Sequence, residues 1–296
     1  MRLLAGVLMA LVCYGAKQRT VALTFDDLPA AGAADPSVDS SNVERMNAAV
    51  LGALKRHHAT AIGFVNEKTA ERLGHHSLDA WQRNGYELGN HTYSHPDFDA
   101  LTVAEFEQDV IRGEASLAKS ARYFRFPFNH AGDTVEKQAA AALFLAGRGY
   151  QLAVCTIDNE DYEFSRAYDL MRARKDGKAA LRLRDEYVAY TGSKIEYYSG
   201  LHRQVFGREI PHVMLLHLNH LNADVLDRIL DTFEKQGYRY VPLDQAQADP
   251  AYRTPVPQAT SFGPMWGYRW ATALGIKVDG SREPEPPRWV LRYGLD

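Results

Sequence analysis

Apolar residues along this 296-residue chain fall into two kinds of run that alternate with each other. Short, largely β-branched or aromatic runs at residues 21–25, 61–65, 86–89, 123–126, 152–157, 213–216 and 238–241 have the length and composition of core strands. Longer segments between them repeat at helical spacing. Val225, Leu226, Ile229, Leu230 and Phe233 share one helical face, with Asn222 read as the cap before them. Thr102 and Glu105 have the spacing of a capping box. Three helical stretches close on Gly and reopen on Tyr, at Asn84-Gly85-Tyr86, Arg148-Gly149-Tyr150 and Gln236-Gly237-Tyr238. A left-handed glycine cap followed by a strand-forming aromatic is how a helix hands over to a strand. Seven strands alternating with helices predict an α/β fold with a closed or nearly closed parallel barrel. An open doubly wound sheet is the alternative, and no Gly-rich nucleotide fingerprint follows any strand to favour it.

Three segments depart from a minimal barrel. Residues 1–16 carry Arg2 and then an apolar run too short to span a bilayer, the pattern of a secretory signal peptide cut after Gly15 or Ala16. A buried first strand or helix is the other reading of that run. Cys13 suggests a lipid anchor, but the bulky Val12 before it argues against that processing. With the leader removed, Cys155 is the one remaining cysteine, so no intrachain disulfide is available. Residues 164–210 form a charged, then tyrosine-rich helical insertion expected over the barrel mouth, either as solvated packing or as a substrate-facing wall. Residues 249–296, rich in Pro and Trp, read as a structural wrap or extension of a domain covering residues 17–248.

Composition changes this picture little. A hydrophobic content of 46% supports a full core, and a formal charge of −3 gives no electrostatic reason to expect nucleic acid. After the leader no second long apolar segment follows, so no stable membrane insertion is expected.

The chemistry lies at the C-terminal ends of the strands. Asp26 and Asp27 end the first run, and two such neighbours repel each other and are costly to bury unless a cation receives them. His91 and His95 follow the third run, Arg125 closes the fourth, Asp158 and Asp161 the fifth, and His217 the sixth. That edge of a βα barrel hosts active sites. One carboxylate with two imidazoles is a catalytic metal set, and it leaves the other carboxylate free for chemistry. Each residue also has a structural reading: Asp26 or Asp27 as a helix cap, the histidines as hydrogen-bonders, Arg125 as an ion-pair partner, Asp158 and Asp161 as turn residues. His220 rivals His217. His57, His58, His75, His76, His130, His202 and His212 have no supporting motif.

From Thr20 to Asp244 the chain resembles the polysaccharide deacetylases of carbohydrate esterase family 4, with their NodB homology domain. Thr24-Phe25-Asp26-Asp27 and His91-x-x-x-His95 match fully; Arg125-Phe126-Pro127-Phe128, the Asp158-x-x-Asp161-aromatic group and Leu215-Leu216-His217 match in order and type. The resemblance implies a distorted (β/α)7 barrel of the NodB homology type, with the helical insertion before the last motif strand. It implies that Asp27, His91 and His95 hold one divalent metal, zinc foremost, with cobalt or nickel also suited to the set. Asp26 would be the general base, held and kept ionised by Arg125. His217 would be the general acid, held by Asp161. The Phe128 backbone N–H would stabilise the oxyanion, and Leu215 and Tyr162 would line the acetyl pocket. Tyr162 stands where the family most often has Trp, Phe128 where Tyr is common and Asn129 where Gly is usual.

The expected protein is a secreted or periplasmic, metal-dependent hydrolase that removes N-acetyl or O-acetyl groups from a polysaccharide or oligosaccharide. Its pH–rate profile is expected to be bell-shaped, with Asp26 on the acid limb and His217 on the basic limb. Two alternatives stay open. One is a hydrolase of a non-glycan C–N bond such as a cyclic amide; the other is a non-catalytic carbohydrate-binding protein on the same fold.

Overall fold

The computed structural model describes residues 18–32, 38–118 and 121–295. The leader at residues 1–16, Cys13 included, lies outside the described residues. Among those described, eight strands form: β1 (Arg19–Leu28), β2 (Ala61–Val65), β3 (Glu87–Asn90), β4 (Tyr123–Phe124), β5 (Gln151–Leu152), β6 (Ile157–Asp158), β7 (His212–His217) and β8 (Tyr238–Tyr240). They pair in parallel within one sheet in the order β5-β4-β3-β2-β1-β7-β6, with β8 on the first residues of β1. The helices are α1 (Ser40–Arg56), α2 (Glu67–Leu73), α3 (His76–Arg83), α4 (Val103–Arg112), α5 (Val135–Gly147), α6 (Asp161–Ala173), α7 (Gly177–Phe206), α8 (His220–Lys235), α9 (Leu243–Gln247), α10 (Trp266–Ala273) and α11 (Arg288–Arg292).

The long central strand β1 is buried from Val21 to Asp26, as a parallel strand covered on both faces must be. Gly85, Gly149 and Gly237 all take positive φ where helices hand over to strands. Thr102 and Glu105 make both halves of their capping box.

Two local expectations are corrected. The run at 152–157 is not one strand but two, and they lie at opposite edges of the sheet: β5 pairs with β4, and β6 pairs with β7. Between them the Ala153 N–H reaches Phe124 O and the Thr156 N–H reaches Val213 O. The Thr156 hydroxyl also accepts from the Val213 N–H at 2.7 Å, substituting for a ladder carbonyl. One segment thus serves two strands in turn, which interrupts its ladder but curls the sheet into a distorted barrel. The second correction concerns α8. Its cap is Asn219, whose side chain accepts from the Asn222 N–H, while the Asn222 side chain is committed elsewhere.

The 164–210 segment forms α6 and α7, which pack on each other and on α8. Tyr187 and Tyr198 are fully buried, so its tyrosine-rich half supplies core rather than a solvated face. Further along, α10 packs on α7 and α11 on α6. Cys155 is a buried free thiol. No helix of the described residues is long and apolar enough to cross a membrane.

At the end of α4, a Cβ on Gly113 would lie 2.7 Å from the Thr92 carbonyl carbon and 2.8 Å from Asn90 Oδ1. Its φ of −66° suits any residue, so the clash alone sets the cost. Gly113→Ala is expected to destabilise the fold by about 1–3 kcal/mol, read as a lower urea midpoint at unchanged slope.

Candidate metal and catalytic site

Successive residues of a strand point to opposite faces, so Asp26 and Asp27 in a regular β1 could not share one cavity. The register between β1 and β2 shifts: Phe25 pairs with Gly63, but Leu28 pairs with Val65. Asp27 sits in this bulge at a φ of 61°, a left-handed conformation that Asp tolerates better than most residues. The bulge re-aims its side chain, and both carboxylates face the same cavity.

The two imidazoles come from a tight loop after β3. Asn90 begins it by accepting the Thr92 N–H at 2.7 Å, and Asp109 of α4 takes the N–H groups of both Tyr93 and Ser94 at 2.9 Å. Thr92 and His95 take φ of 71° and 56°, folding the loop back so that both rings meet Asp27. His91 Nδ1 donates to the Arg125 carbonyl at 2.9 Å, which turns its Nε2 toward the carboxylates. From Asp27 Oδ1, His91 Nε2 lies at 3.8 Å and His95 Nε2 at 3.4 Å.

Ligand atoms of Asp27, His91 and His95 lie within 4.8 Å of one another. Asp27 Oδ1 is buried with no hydrogen-bond partner, an orphaned acceptor that a cation would satisfy. Burial, with His95 beside it, pushes His91 down to about 3, so it presents the neutral imidazole that ligates metals. The donor set therefore fits a divalent ion. Two further groups have suitable spacing, His57 with Asp231 and Glu234, and Asp97 and Asp99 with His130, whose imidazole already pairs with Asp97 at 2.7 Å; neither group lines this cavity.

Asp26 is tied elsewhere. Arg125 Nη1 donates to its Oδ1 at 2.9 Å and to Thr24 Oγ1 at 2.6 Å, while Nε donates to Ala153 O at 3.2 Å. Both side chains are almost wholly buried. Burial raises the Asp26 carboxyl above its ordinary value, with Arg125 and then His217 pulling the other way. A carboxylate held in one orientation with a raised pKa has the properties of a general base.

Across the cavity, His217 Nδ1 donates to Asp161 Oδ1 at 2.6 Å and the His217 N–H donates to Oδ2 at 2.7 Å. Burial disfavours the His217 imidazolium, but the Asp161 carboxylate outweighs it and the ring is pushed up to about 10. The Asn222 amide donates to Asp161 Oδ2 and to the His217 carbonyl, and its own oxygen accepts from Tyr187 at 2.7 Å. Asn159 donates to the Tyr187 hydroxyl at 2.6 Å. Sequence reasoning missed this support. Tyr187 belongs to the insertion, and no local sequence signal separates it from the other tyrosines there. His220 instead pairs with Asp169 at 3.0 Å and is not among the cavity-lining residues.

The cavity encloses about 640 Å³ and brings together Asp26, Asp27, His91, His95, Phe128, Tyr162, Leu215 and His217, with Arg125 and Asp161 bonded just behind them. Asp158 lines it too, its Oδ1 accepting the Glu160 N–H at 2.8 Å, with burial pushing its carboxyl up to about 6. Phe128 occupies the second position of a short 3-10 turn, where no intrahelical carbonyl serves its N–H. Its ring sits edge-on to His95 at 4.6 Å. Asn129 has a φ of 58°, which accounts for a preference for Gly there and for Asn as a workable substitute.

Residues 14–146 match the family model described as polysaccharide deacetylase. A peptidoglycan-N-acetylglucosamine deacetylase of Bacillus cereus is 27% identical over 147 residues, covering 48% of this chain and 46% of that protein. A chitin deacetylase of Colletotrichum lindemuthianum is 22% identical over 239 residues, covering 77% of this chain and 79% of that protein. The chain spans less than half the length of the bacterial relatives it matches. Among solved structures, a family 4 carbohydrate esterase from Streptomyces lividans in complex with acetate superposes with a TM-score of 0.51 at 17% identity, over 78% of this chain and 96% of that one. A carbohydrate esterase family 4 pseudoenzyme from Bacillus anthracis superposes with a TM-score of 0.53 at 16% identity, over 78% of this chain and 66% of that one. The family match covers under half of the chain, while the superpositions extend over most of it and give the fold as the distorted (β/α)7 barrel of the NodB homology type, with a helical insertion. Because the same fold carries both an esterase and a pseudoenzyme, the site must argue for activity.

The His217 pKa of about 10 against an ordinary 6.5 means its charge contributes stability that is full below pH 6.5 and is lost as pH rises through 10. In chelated protein, Asp161→Asn is expected to drop the His217 pKa below 6.5 by NMR titration. The stability gap to wild type is expected to be largest below pH 6.5 and to narrow toward pH 10.

Proposed function

We propose that this chain is a metal-dependent deacetylase that hydrolyses acetyl groups on a glycan, releasing acetate. The observation that carries the reading is the division of duties between two adjacent carboxylates. Asp27 presents an unpartnered oxygen to two imidazoles, while Asp26 is bound to Arg125 through Oδ1, its Oδ2 lying 3.8 Å from His91 alone of the pair, and falls outside the ligand group. Asp27, His91 and His95 would hold the ion, zinc by their chemistry, with cobalt or nickel able to substitute. Bound there, it supplies a Lewis acid and lowers the pKa of water.

The remaining steps belong to the chain. Asp26 takes the proton from the attacking water, and Arg125 keeps its carboxylate ionised and oriented. The Phe128 N–H donates to the oxyanion that develops on the acetyl carbonyl, a contribution of about 3–4 kcal/mol. Leu215 and Tyr162 enclose the acetyl methyl. His217, kept cationic by Asp161, protonates the leaving amine of an N-acetyl sugar or the alkoxide of an O-acetyl one. The activities of the relatives, on peptidoglycan and chitin, support an acetylated amino sugar as substrate. Residues 1–16 would direct the protein out of the cytoplasm, and no nucleic-acid partner is expected.

Treatment with a chelator is expected to abolish acetate release from N-acetylglucosamine oligomers, and added zinc to restore it. Asp26→Asn should retain metal and lose about 10²–10⁴ in rate. Turnover at the wild-type rate in that variant removes Asp26 as base. His91→Ala should lose the metal itself, measured by elemental analysis, and an unchanged metal content sinks the ligand set.

A further inference from the structure

Beside the metal cavity lies a second one, of about 500 Å³, with Asp158 and Gly263 lining both. It is built by parts of the chain outside the region that matches the family model: residues 256–264, Tyr268 and Arg269 of α10, and Tyr198 of α7. The contact that joins the cavities is close. A Cβ on Gly263 would lie 1.9 Å from the Phe128 carbonyl, and Arg269 Nη2 donates to Asn129 O at 2.7 Å. The C-terminal segment is therefore seated against the turn that carries the Phe128 amide.

The lining identifies the ligand class. Two of its three carboxylates share one cation: buried Lys194 lies between Glu160 at 3.1 Å and Glu283 at 2.5 Å, and the Tyr198 and Tyr268 hydroxyls donate to Glu283, while Asp158 accepts the Glu160 N–H. Each of the three already has a hydrogen-bond donor from the chain itself. What faces the space freely is neutral and polar, in Gln258 and Thr272, beside exposed aromatic surface. Among the described residues, Phe128, Tyr162 and Phe262 are the most exposed Phe, Tyr or Trp side chains, at 55%, 51% and 62%. All three border these two cavities. Aromatic faces left in water beside neutral hydrogen-bonding groups suit the apolar C–H face and hydroxyl rim of a sugar ring.

We propose that residues 256–272, with Tyr198, form a second sugar subsite contiguous with the metal cavity, so that one sugar of a glycan lies at the metal while its neighbour stacks on Phe262. The proposal deepens the deacetylase reading and rests on it for the polarity of the chain. It assigns the C-terminal segment a role in selecting oligomers over single sugars.

The test is calorimetric titration of the zinc-loaded full chain with β-linked N-acetylglucosamine oligomers of increasing length from the single sugar, with acetate release followed on the same samples. Wild-type affinity is expected to tighten at least tenfold from the single sugar to the longer oligomers. Phe262→Ala should lose most of that gain. Gln258→Ala, an exposed change that guards against a folding artefact, should lose part of it. Affinity independent of length, no binding at any length, or the full gain retained in both variants would overturn the subsite. Acetate release with length-independent binding refutes the subsite and leaves the deacetylase reading standing. Length-dependent, Phe262-dependent binding without release does the reverse.

Discussion

Two like charges at the end of the central strand have to be met by two different partners, and the architecture of the site follows from that requirement. Each buried carboxylate costs several kcal/mol unless it is compensated, and the pair repels itself. Arg125 compensates Asp26 from three strands away in the sheet order, fixed by Thr24, by the Ala153 carbonyl and by the ring of Phe64 at 4.5 Å. Removing that guanidinium would leave a buried charge unpaired, a loss of about 3–5 kcal/mol in comparable cases. Asp27 has no such protein cation, and the imidazoles it faces are poor ones: His91 is held neutral by burial. A metal ion held by Asp27, His91 and His95 would complete this electrostatic arrangement.

The backbone records the same demand. Of the eight non-glycine residues with positive φ among those described, six belong to this edge: Asp27, Thr92, His95, Phe128, Asn129 and Glu160. Such conformations cost of order 1–3 kcal/mol each and persist only where the surroundings over-determine them. Here the surroundings are specific: Asp109 bonded to the His91–His95 loop, Arg269 and Gly263 against the Phe128–Asn129 turn, and Tyr190 and Lys194 on Glu160. The insertion and the C-terminal segment thus brace the strained edge that carries the candidate site.

Much of this was legible in the sequence because the strands are short, apolar and punctuated by Gly-Tyr handovers, and because the charged residues follow strand ends directly. Element existence came through well; ladder detail did not. The 152–157 run looked like one strand because local composition carries no information about which neighbour each half pairs with. Asn222 looked like a cap because Asn at a helix start usually is one, yet Asn219 does that job and frees Asn222 for Asp161. The bulge at Asp27 was equally invisible, since it arises from register between β1 and β2. Tyr187 and the second cavity depend on contacts across long sequence separations, which no local pattern encodes.

The central claim is that Asp27, His91 and His95, without Asp26, form a metal centre at this edge. The most direct test is a crystal of zinc-loaded protein with anomalous diffraction measured at the zinc edge. The account expects one peak about 2.0–2.2 Å from Asp27 Oδ1 and from both Nε2 atoms, with Asp26 still bound to Arg125. A peak at Asp97, Asp99 and His130 instead, or Asp26 turned to ligate the ion, would contradict it.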